Sequence, residues 1–207
     1  MTTVPLHPGW RVQLAVHRAV RRDIGRLSAA LERDGETPPE AIQAYWSVTT
    51  SQLHEHHVFE DTVVWPLLGQ RLDGRVDTLL MRNAQEHQAM AAAMERFGDA
   101  LARVTVDAPS ARVALKQLGE AVEDHLAAEE ADVLPLIPEA FTMEDVVSFG
   151  AESAKTNPAE ALLPWLLDEA PDADVAFFTG QLPASVRTDL ESLWVPLWRA
   201  KVDALSR

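Results

Sequence analysis

His56-His57-Val58-Phe59-Glu60-Asp61, with Pro66 five residues further on, has a second copy in the same chain. The second copy is His125-Leu126-Ala127-Ala128-Glu129-Glu130, again with a proline, Pro135, five residues further on. One constant offset maps His56, Glu60 and Pro66 onto the equivalent residues of the second copy. A histidine and a glutamate four residues apart lie on one face of an α-helix. The repeat therefore predicts two helices that each present an imidazole and a carboxylate to a shared interior.

A single histidine precedes each copy within a helical pattern. His17 precedes His56 by almost the same length of chain as that by which His87 precedes His125. Two single histidines and two histidine–glutamate pairs on four helices can converge inside a bundle, as they do in carboxylate-bridged sites for two metal ions. A lone buried histidine is usually a core residue, but two carboxylates buried without a cation would cost several kcal/mol each. We therefore predict a metal site.

The spacing of apolar residues predicts four long helices, over about 8–33, 39–65, 75–104 and 111–134. Pro66 is expected to kink or end the second helix, and Pro135 with Pro138 to end the fourth. No segment sustains an alternation of apolar and polar residues, so we expect no sheet. Because the connections are short, the pattern favours an all-α, up-down-up-down four-helix bundle.

The character of the chain changes beyond about residue 141. Shorter amphipathic helices are predicted over 143–154, 158–168 and 183–204, and three of the six tryptophans fall in this region: Trp165, Trp194 and Trp198. Their helical spacing favours packing against the bundle over an exposed aromatic patch for a partner. We expect a bundle domain over residues 1–140 and a helical extension over 141–207 packed on it.

The composition excludes several kinds of protein. The 207 residues include no cysteine, which excludes disulfides, thiolate chemistry and iron–sulfur clusters. A formal net charge of −14 argues against nucleic acid and anionic membranes as partners. No apolar run approaches the roughly 18 residues of a membrane span, and the N-terminal segment lacks a signal-peptide core. We expect a cytoplasmic protein; its oligomeric state is not predicted.

Four further residues near the motifs are candidates for the site. His57 is turned about 100° from His56, so it either reaches the metals from the edge as a ligand or stands outside the ligand set. Asp61 and Glu130 are offset in the same way, and we expect them to hold ligating imidazoles from outside or to lie on the helix surface, with direct ligation of a metal as the alternative. Tyr45, which precedes His56 on the same helix, is either a packed core residue or a hydrogen-bond donor or redox relay near the metals.

These residues resemble the hemerythrin-like proteins of the HHE cation-binding type over about residues 9–140. The family pattern of ligands falls on six residues here: His17, His56, Glu60, His87, His125 and Glu129. The residues of the two motifs resemble those of the actinobacterial branch of this family, as does a C-terminal extension that contains proline and tryptophan. The resemblance implies a non-haem centre of two iron ions, Fe2+ or Fe3+, with an oxo or hydroxo bridge. Manganese and zinc also suit imidazole and carboxylate donors.

One position departs from the oxygen-carrying hemerythrins, which have a second histidine on the third helix, four residues from the first. Here Asn83 and Ala91 stand four residues to either side of His87. Two six-coordinate ions need about twelve bonds, of which four histidines and two bridging glutamates supply about eight. The remaining positions favour binding or activating O2, nitric oxide or peroxide over reversible carriage.

Two functions therefore follow from the sequence. The first is binding of O2, nitric oxide or a related small ligand, or sensing of oxygen or iron. The second is a di-iron oxidoreductase that decomposes hydrogen peroxide, as a catalase does, or oxidises a small molecule with O2. In a third, weaker hypothesis the metal only holds the bundle together and the C-terminal helices are the working surface. Motifs for nucleotide binding or serine hydrolysis do not occur.

Overall fold

The fold consists of helices joined by short turns. The computed structural model describes residues 7–33, 35–180 and 182–206, and these ranges contain no strand. The first helices are α1 (Pro8–Glu32), α2 (Pro39–Phe59), α3 (Trp65–Arg71), α4 (Asp77–Leu101), α5 (Ala108–Asp132) and α6 (Ile137–Ala140). The extension contains α7 (Met143–Ser153), α8 (Ala159–Leu167), α9 (Asp172–Gly180), α10 (Ala184–Asp189) and α11 (Val195–Leu205).

The four long helices α1, α2, α4 and α5 form a bundle. Both α1 and α4 pack against α2 and α5, so each long helix has two neighbours in a ring. Short connections make consecutive helices antiparallel. A proline stands in the first turn of α1, α2 and α5, where its missing N–H leaves no helix bond unmade. The predicted all-α bundle with additional C-terminal helices is confirmed.

Two apolar clusters fill the interior, one on each side of the predicted ligands. The larger cluster reaches Leu53 of α2, and the smaller cluster begins at Val64, beyond the end of that helix. In the same way the larger cluster reaches Leu126 of α5, and the smaller one begins at Val133, just after that helix. The predicted metal ligands of α2 and α5 fall at this boundary. A polar layer is thus enclosed by apolar side chains at both ends.

Pro66 does not end the second helix. Residues Glu60–Val64 form one π-helical turn between α2 and α3, and the Trp65 N–H bonds to the carbonyl of Glu60, five residues back. This wider turn accommodates a proline that has no N–H to offer. The stop that the sequence predicts at Pro66 as one alternative therefore does not occur, because the helix continues with one widened turn. At Pro135 the chain instead tightens into a 3-10 turn, Leu134–Leu136.

Asp23 of α1 joins the extension to the bundle. Its buried carboxylate accepts hydrogen bonds from four side chains: Tyr45 Oη (2.7 Å), Thr49 Oγ1 (2.9 Å), Trp165 Nε1 (2.7 Å) and Arg22 Nη2 (2.8 Å). Trp165 and Trp198 are both buried and belong to the larger apolar cluster of the bundle. Bundle and extension therefore share one core, and the domain boundary near residue 140 stays a prediction.

Arginines along α1 bind the carbonyl end of α8. Arg22 Nη1 donates to the carbonyl oxygens of Trp165 (2.9 Å) and Asp168 (2.7 Å). Arg18 Nη2 donates to the carbonyl of Leu166 at 2.8 Å. The last carbonyls of a helix have no partner within it and carry the negative end of its dipole, so cations stabilise them. The extension thus docks on α1 through a helix end as well as through its tryptophans.

The extension contains one helix, α9, that the sequence analysis does not predict. In the bundle, α4 is slightly shorter at each end than expected. The α5 helix begins earlier than expected, at Ala108, because the Asp107 side chain accepts the Ser110 N–H at 3.2 Å and caps it.

Candidate metal centre

The six residues predicted as ligands lie together in the polar layer. His17 is on α1, His56 on α2, His87 on α4, and His125 and Glu129 are on α5; Glu60 is the first residue of the π turn. His17, Glu60 and Glu129 have no exposed surface. The side chain of His56 is 6% exposed, and those of His87 and His125 are 4% and 1% exposed. Four helices thus bring these side chains to one enclosed place.

The donor atoms fall into two groups. One contains His17, His56, Glu60 and Glu129, the other contains His57, His87 and His125, and within each group the donor atoms lie within 4.8 Å of one another. Glu60 approaches both groups, since Oε1 is 3.5 Å from His56 Nε2 and Oε2 is 3.6 Å from His87 Nε2. Oε2 of Glu129 is 3.6 Å from His17 Nε2 and 3.4 Å from His125 Nε2. The two carboxylates therefore stand between the two groups of imidazoles.

The imidazole and carboxylate atoms that face the interior are left without hydrogen-bond partners. Among the described residues, the buried Nε2 atoms of five histidines lack a hydrogen-bond partner: His17, His56, His57, His87 and His125. Glu60 Oε2 and both carboxylate oxygens of Glu129 are buried in the same condition. Polar atoms buried without partners are costly, and they are rare in proteins without an ion or water to satisfy them. The donor set, imidazole with carboxylate, fits iron, manganese or zinc.

Carboxylates on neighbouring helices hold three of the imidazoles from outside. The Nδ1 atoms of His17, His87 and His125 donate, each at 2.9 Å, to Glu130 Oε1, Asp61 Oδ1 and Glu86 Oε2 respectively. A carboxylate acceptor fixes the hydrogen on Nδ1 and leaves the lone pair on Nε2 directed inward. Asp61 and Glu130 thus contact imidazoles from outside, one of the arrangements that the sequence left open.

The sequence repeat is also a repeat in space. The pair formed by His17 of α1 and Glu130 of α5 corresponds to the pair formed by His87 of α4 and Asp61 of the π turn. Aligning the two halves on their shared histidines shows three positions of the layer that break this pseudo-twofold symmetry. They are His57 against Leu126, Glu86 against Val16, and Asn83 against Gln13. The two halves of the site are therefore chemically unequal.

His57 lies inside the site rather than on the helix surface. It is 5% exposed, and its ring stacks on that of His87 with the centroids 4.1 Å apart. The ring of His125 is 5.5 Å away, edge to face. Of the alternatives that the sequence left open, the geometry favours His57 as a donor in the group of His87 and His125. Whether it ligates a metal stays a prediction.

Burial and the neighbouring charges set the protonation of the layer. Burial, helped by His17, lowers the pKa of His56 to about 3, and burial lowers the pKa of His57 well below its usual value. Both are therefore neutral near pH 7, as a metal ligand must be. Burial together with the charge of Glu129 raises the pKa of Glu60 well above its ordinary value. A cation between the two carboxylates would relieve this conflict.

Tyr45 is a packed core residue, one of the two roles that the sequence left open, whereas Glu86 is a residue of the site that the sequence does not predict. Tyr45 is buried beside Trp198, and its hydroxyl donates to Asp23 and accepts from Arg26. In the described part of the chain Tyr45 has no hydrogen bond to the polar layer, because about three helical turns separate it from His56. Glu86, which holds His125, is not predicted by the sequence; its repeat counterpart is Val16, so the repeat gives no signal for it.

An all-α bundle with buried imidazole and carboxylate donors for metal defines the class of this protein. Within that class the chain belongs to the hemerythrin family, because the family model described as Hemerythrin HHE cation binding domain matches residues 9–137. Comparison with curated proteins and with solved structures gave no match. Among the described residues, no helix has the length and apolar character needed to cross a membrane.

Proposed function

We propose that this protein is a non-haem di-iron protein that binds O2, nitric oxide or a related small ligand. The observation that carries the proposal is the convergence of five imidazole Nε2 atoms and two carboxylates that are buried with no other partner in the described chain. His17 and His56 would hold one ion, and His57, His87 and His125 the other. Glu60 and Glu129 would bridge, since each approaches both groups.

The number of donors limits what the site can accept. Five imidazoles and two bridging carboxylates supply about nine of the roughly twelve bonds that two six-coordinate ions need. The group of His17 and His56 has one imidazole fewer than the group of His57, His87 and His125. About two positions would remain open at the ion of His17 and His56, and about one at the ion of His57, His87 and His125, so either ion can take an incoming ligand. Iron held in the site would supply a change between Fe2+ and Fe3+ and a position for a small ligand.

An oxidoreductase that acts on hydrogen peroxide is the second candidate. One observation favours it: the amide of Asn83, one turn before His87, is buried with neither its Nδ2 nor its Oδ1 paired among the described residues. A free donor next to a free acceptor suits a ligand that carries hydrogen, as peroxide does and O2 does not.

Elemental analysis with absorption spectra of the reduced protein, before and after O2, azide and peroxide, tests the proposal. We expect two irons per chain and an oxygen complex that disappears on degassing; rapid turnover of peroxide would favour the oxidoreductase. His56→Ala should lose iron, whereas His54→Ala, an exposed histidine two residues away, should keep it. A protein that takes up no iron, or His54→Ala and His56→Ala proteins that behave alike, would contradict the proposed function.

A further inference from the structure

The sequence repeat relates two side-chain amides, those of Gln13 and Asn83, that flank the polar layer. Gln13 lies one turn before His17 on α1, and Asn83 lies one turn before His87 on α4. Gln13 Nε2 donates to Glu60 Oε1, which is a contact between α1 and the π turn that follows α2. The pseudo-twofold symmetry maps this contact onto α4 and α5, where Asn83 would face Glu129.

The second carboxamide does not complete the equivalent contact. Asn83 is fully buried, yet its Nδ2 and Oδ1 both lack a partner among the described residues, as do both oxygens of Glu129. Asparagine is one methylene shorter than glutamine, a difference of about 1.5 Å. A side chain shorter by that length would leave the contact with Glu129 unmade at Asn83.

The surroundings make this gap unfavourable unless a polar molecule fills it. The residues one turn beyond the two glutamates, Val64 and Val133, are repeat-related and belong to the smaller apolar cluster. Ala91, one turn from His87 in the other direction, is exposed. Asn83 is therefore the flanking residue of His87 that faces the interior. A buried amide with neither a partner nor water is costly, which implies a guest with hydrogen-bonding atoms.

We propose that Asn83 forms a subsite for a small polar ligand at the metal centre, next to Glu129. Its Nδ2 donates to an acceptor atom of the ligand, and its Oδ1 accepts a hydrogen where the ligand has one. Water, hydrogen peroxide and small anions such as azide fit this chemistry, whereas nitric oxide carries neither a hydrogen nor a full charge. The inference rests on the proposed function, since the ligand sits at the metal centre.

Azide and nitric oxide titrations of the iron-loaded, full-length protein test the subsite. Asn83→Leu removes both hydrogen-bonding atoms at similar size, and we expect azide to bind about tenfold more weakly, the effect of one hydrogen bond to a charged group. Nitric oxide affinity and iron content should not change. Ala91→Leu, at the exposed position on the other side of His87, should bind both ligands as the unchanged protein does.

Asn83→Gln provides a second, independent test. The longer amide should reach Glu129 as Gln13 reaches Glu60, so azide binding should again weaken although an amide is retained. This variant decides the question by the same measurements if the leucine variant does not fold.

Three results would overturn the subsite. They are unchanged azide affinity at full iron content, an equal loss of azide and nitric oxide affinity, and a loss of iron, which would make Asn83 a support for the ligands. Failure of the unchanged protein to take up iron is a different result, and it would refute the proposed function instead.

Discussion

Three carboxylates that lie outside the polar layer, those of Glu130, Asp61 and Glu86, orient three of its five imidazoles. Glu130 also accepts from Arg21 Nη1 at 2.6 Å, and Glu86 lies 3.5 Å from Arg82 Nε. Asp61, 35% exposed, has no cation of this kind in the described chain. Because an arginine withdraws charge from its carboxylate, the imidazole held by Asp61 should be the strongest electron donor of the three.

The contact of Glu86 with His125 leads to the first prediction. Glu86→Gln keeps the shape but weakens the hydrogen bond to His125 Nδ1, so we expect metal affinity to fall roughly 10- to 100-fold. Competition with a chelator of known affinity measures the change. Glu95→Gln, at an exposed position of the same helix, is the matched control and should leave affinity unchanged. Equal affinities in the two variants would show that Glu86 does not position His125.

His57→Leu tests whether the fifth imidazole is a ligand. Leucine is the residue that the repeat places at the equivalent position, Leu126, where it is fully buried, so the change should be tolerated sterically. We expect the second ion to be lost or bound much more weakly, leaving about one iron per chain. Elemental analysis gives the answer, and two tightly bound irons in the variant would exclude ligation by His57.

The predicted ligands follow from a pattern within single helices, whereas the other residues of the site act through contacts between helices that are distant along the chain. Histidine and glutamate at helical spacing form a local signal, and its repetition in a second copy makes six of the site's residues predictable. The role of Glu86 depends on α4 lying beside α5, and the role proposed for Asn83 depends on one missing methylene. Neither fact can be derived from spacing along the chain.

At the scale of elements, the same sequence motif leads to two different backbone solutions. In the first copy a π turn precedes the proline, Pro66, which lies in α3. In the second copy the proline, Pro135, lies within a 3-10 turn that leads into α6. Proline predicts only that the regular helix is interrupted. Trp65 and Leu134, the residues just before the two prolines, are both buried, so burial does not distinguish the wider turn from the tighter one. This choice could not be predicted from the two motifs.

The docking of α8 on the bundle predicts a large effect at Asp23. Asp23→Ala would leave the donors of Tyr45 and Trp165 buried without an acceptor and would remove a charged partner of Arg22. We expect a loss of about 3–5 kcal/mol in the free energy of unfolding. Urea unfolding followed by tryptophan fluorescence measures it. Asp124→Ala, at an exposed position of α5, should change stability by about 0.5 kcal/mol or less. Similar effects of the two changes would contradict this account of the contact.

At the scale of the whole molecule, the extension completes the core without contributing to either donor group. Removing residues 142–207 leaves all seven donor residues in place. It also removes Trp165 and Trp198 from the larger apolar cluster, uncovering apolar surface on the bundle. We expect a fragment that still binds metal but aggregates. Elemental analysis and light scattering test this, and a soluble fragment without metal would mean that the extension closes the site.

Metal removal should lower the stability of the whole chain. Ions that bind only the folded state add to its stability, by about 4 kcal/mol at a thousandfold excess over the dissociation constant. We expect the melting temperature and the metal content to fall together on chelation, and both to recover when iron is added back. Scanning calorimetry measures the shift. Equal melting temperatures with and without iron would show that the layer is not coupled to folding.

The α1 helix contacts two different parts of the molecule: His17 faces the interior on one side, and Arg18 and Arg22 bind α8 on the other. Because His17, Arg18 and Arg22 belong to one continuous helix, a displacement of α1 at His17 would also displace the two arginines. The carbonyl end of α8 would then lose or regain its donors as the interior changes. A change of ligand or oxidation state at the proposed metal site would thereby alter the contact between α1 and the extension.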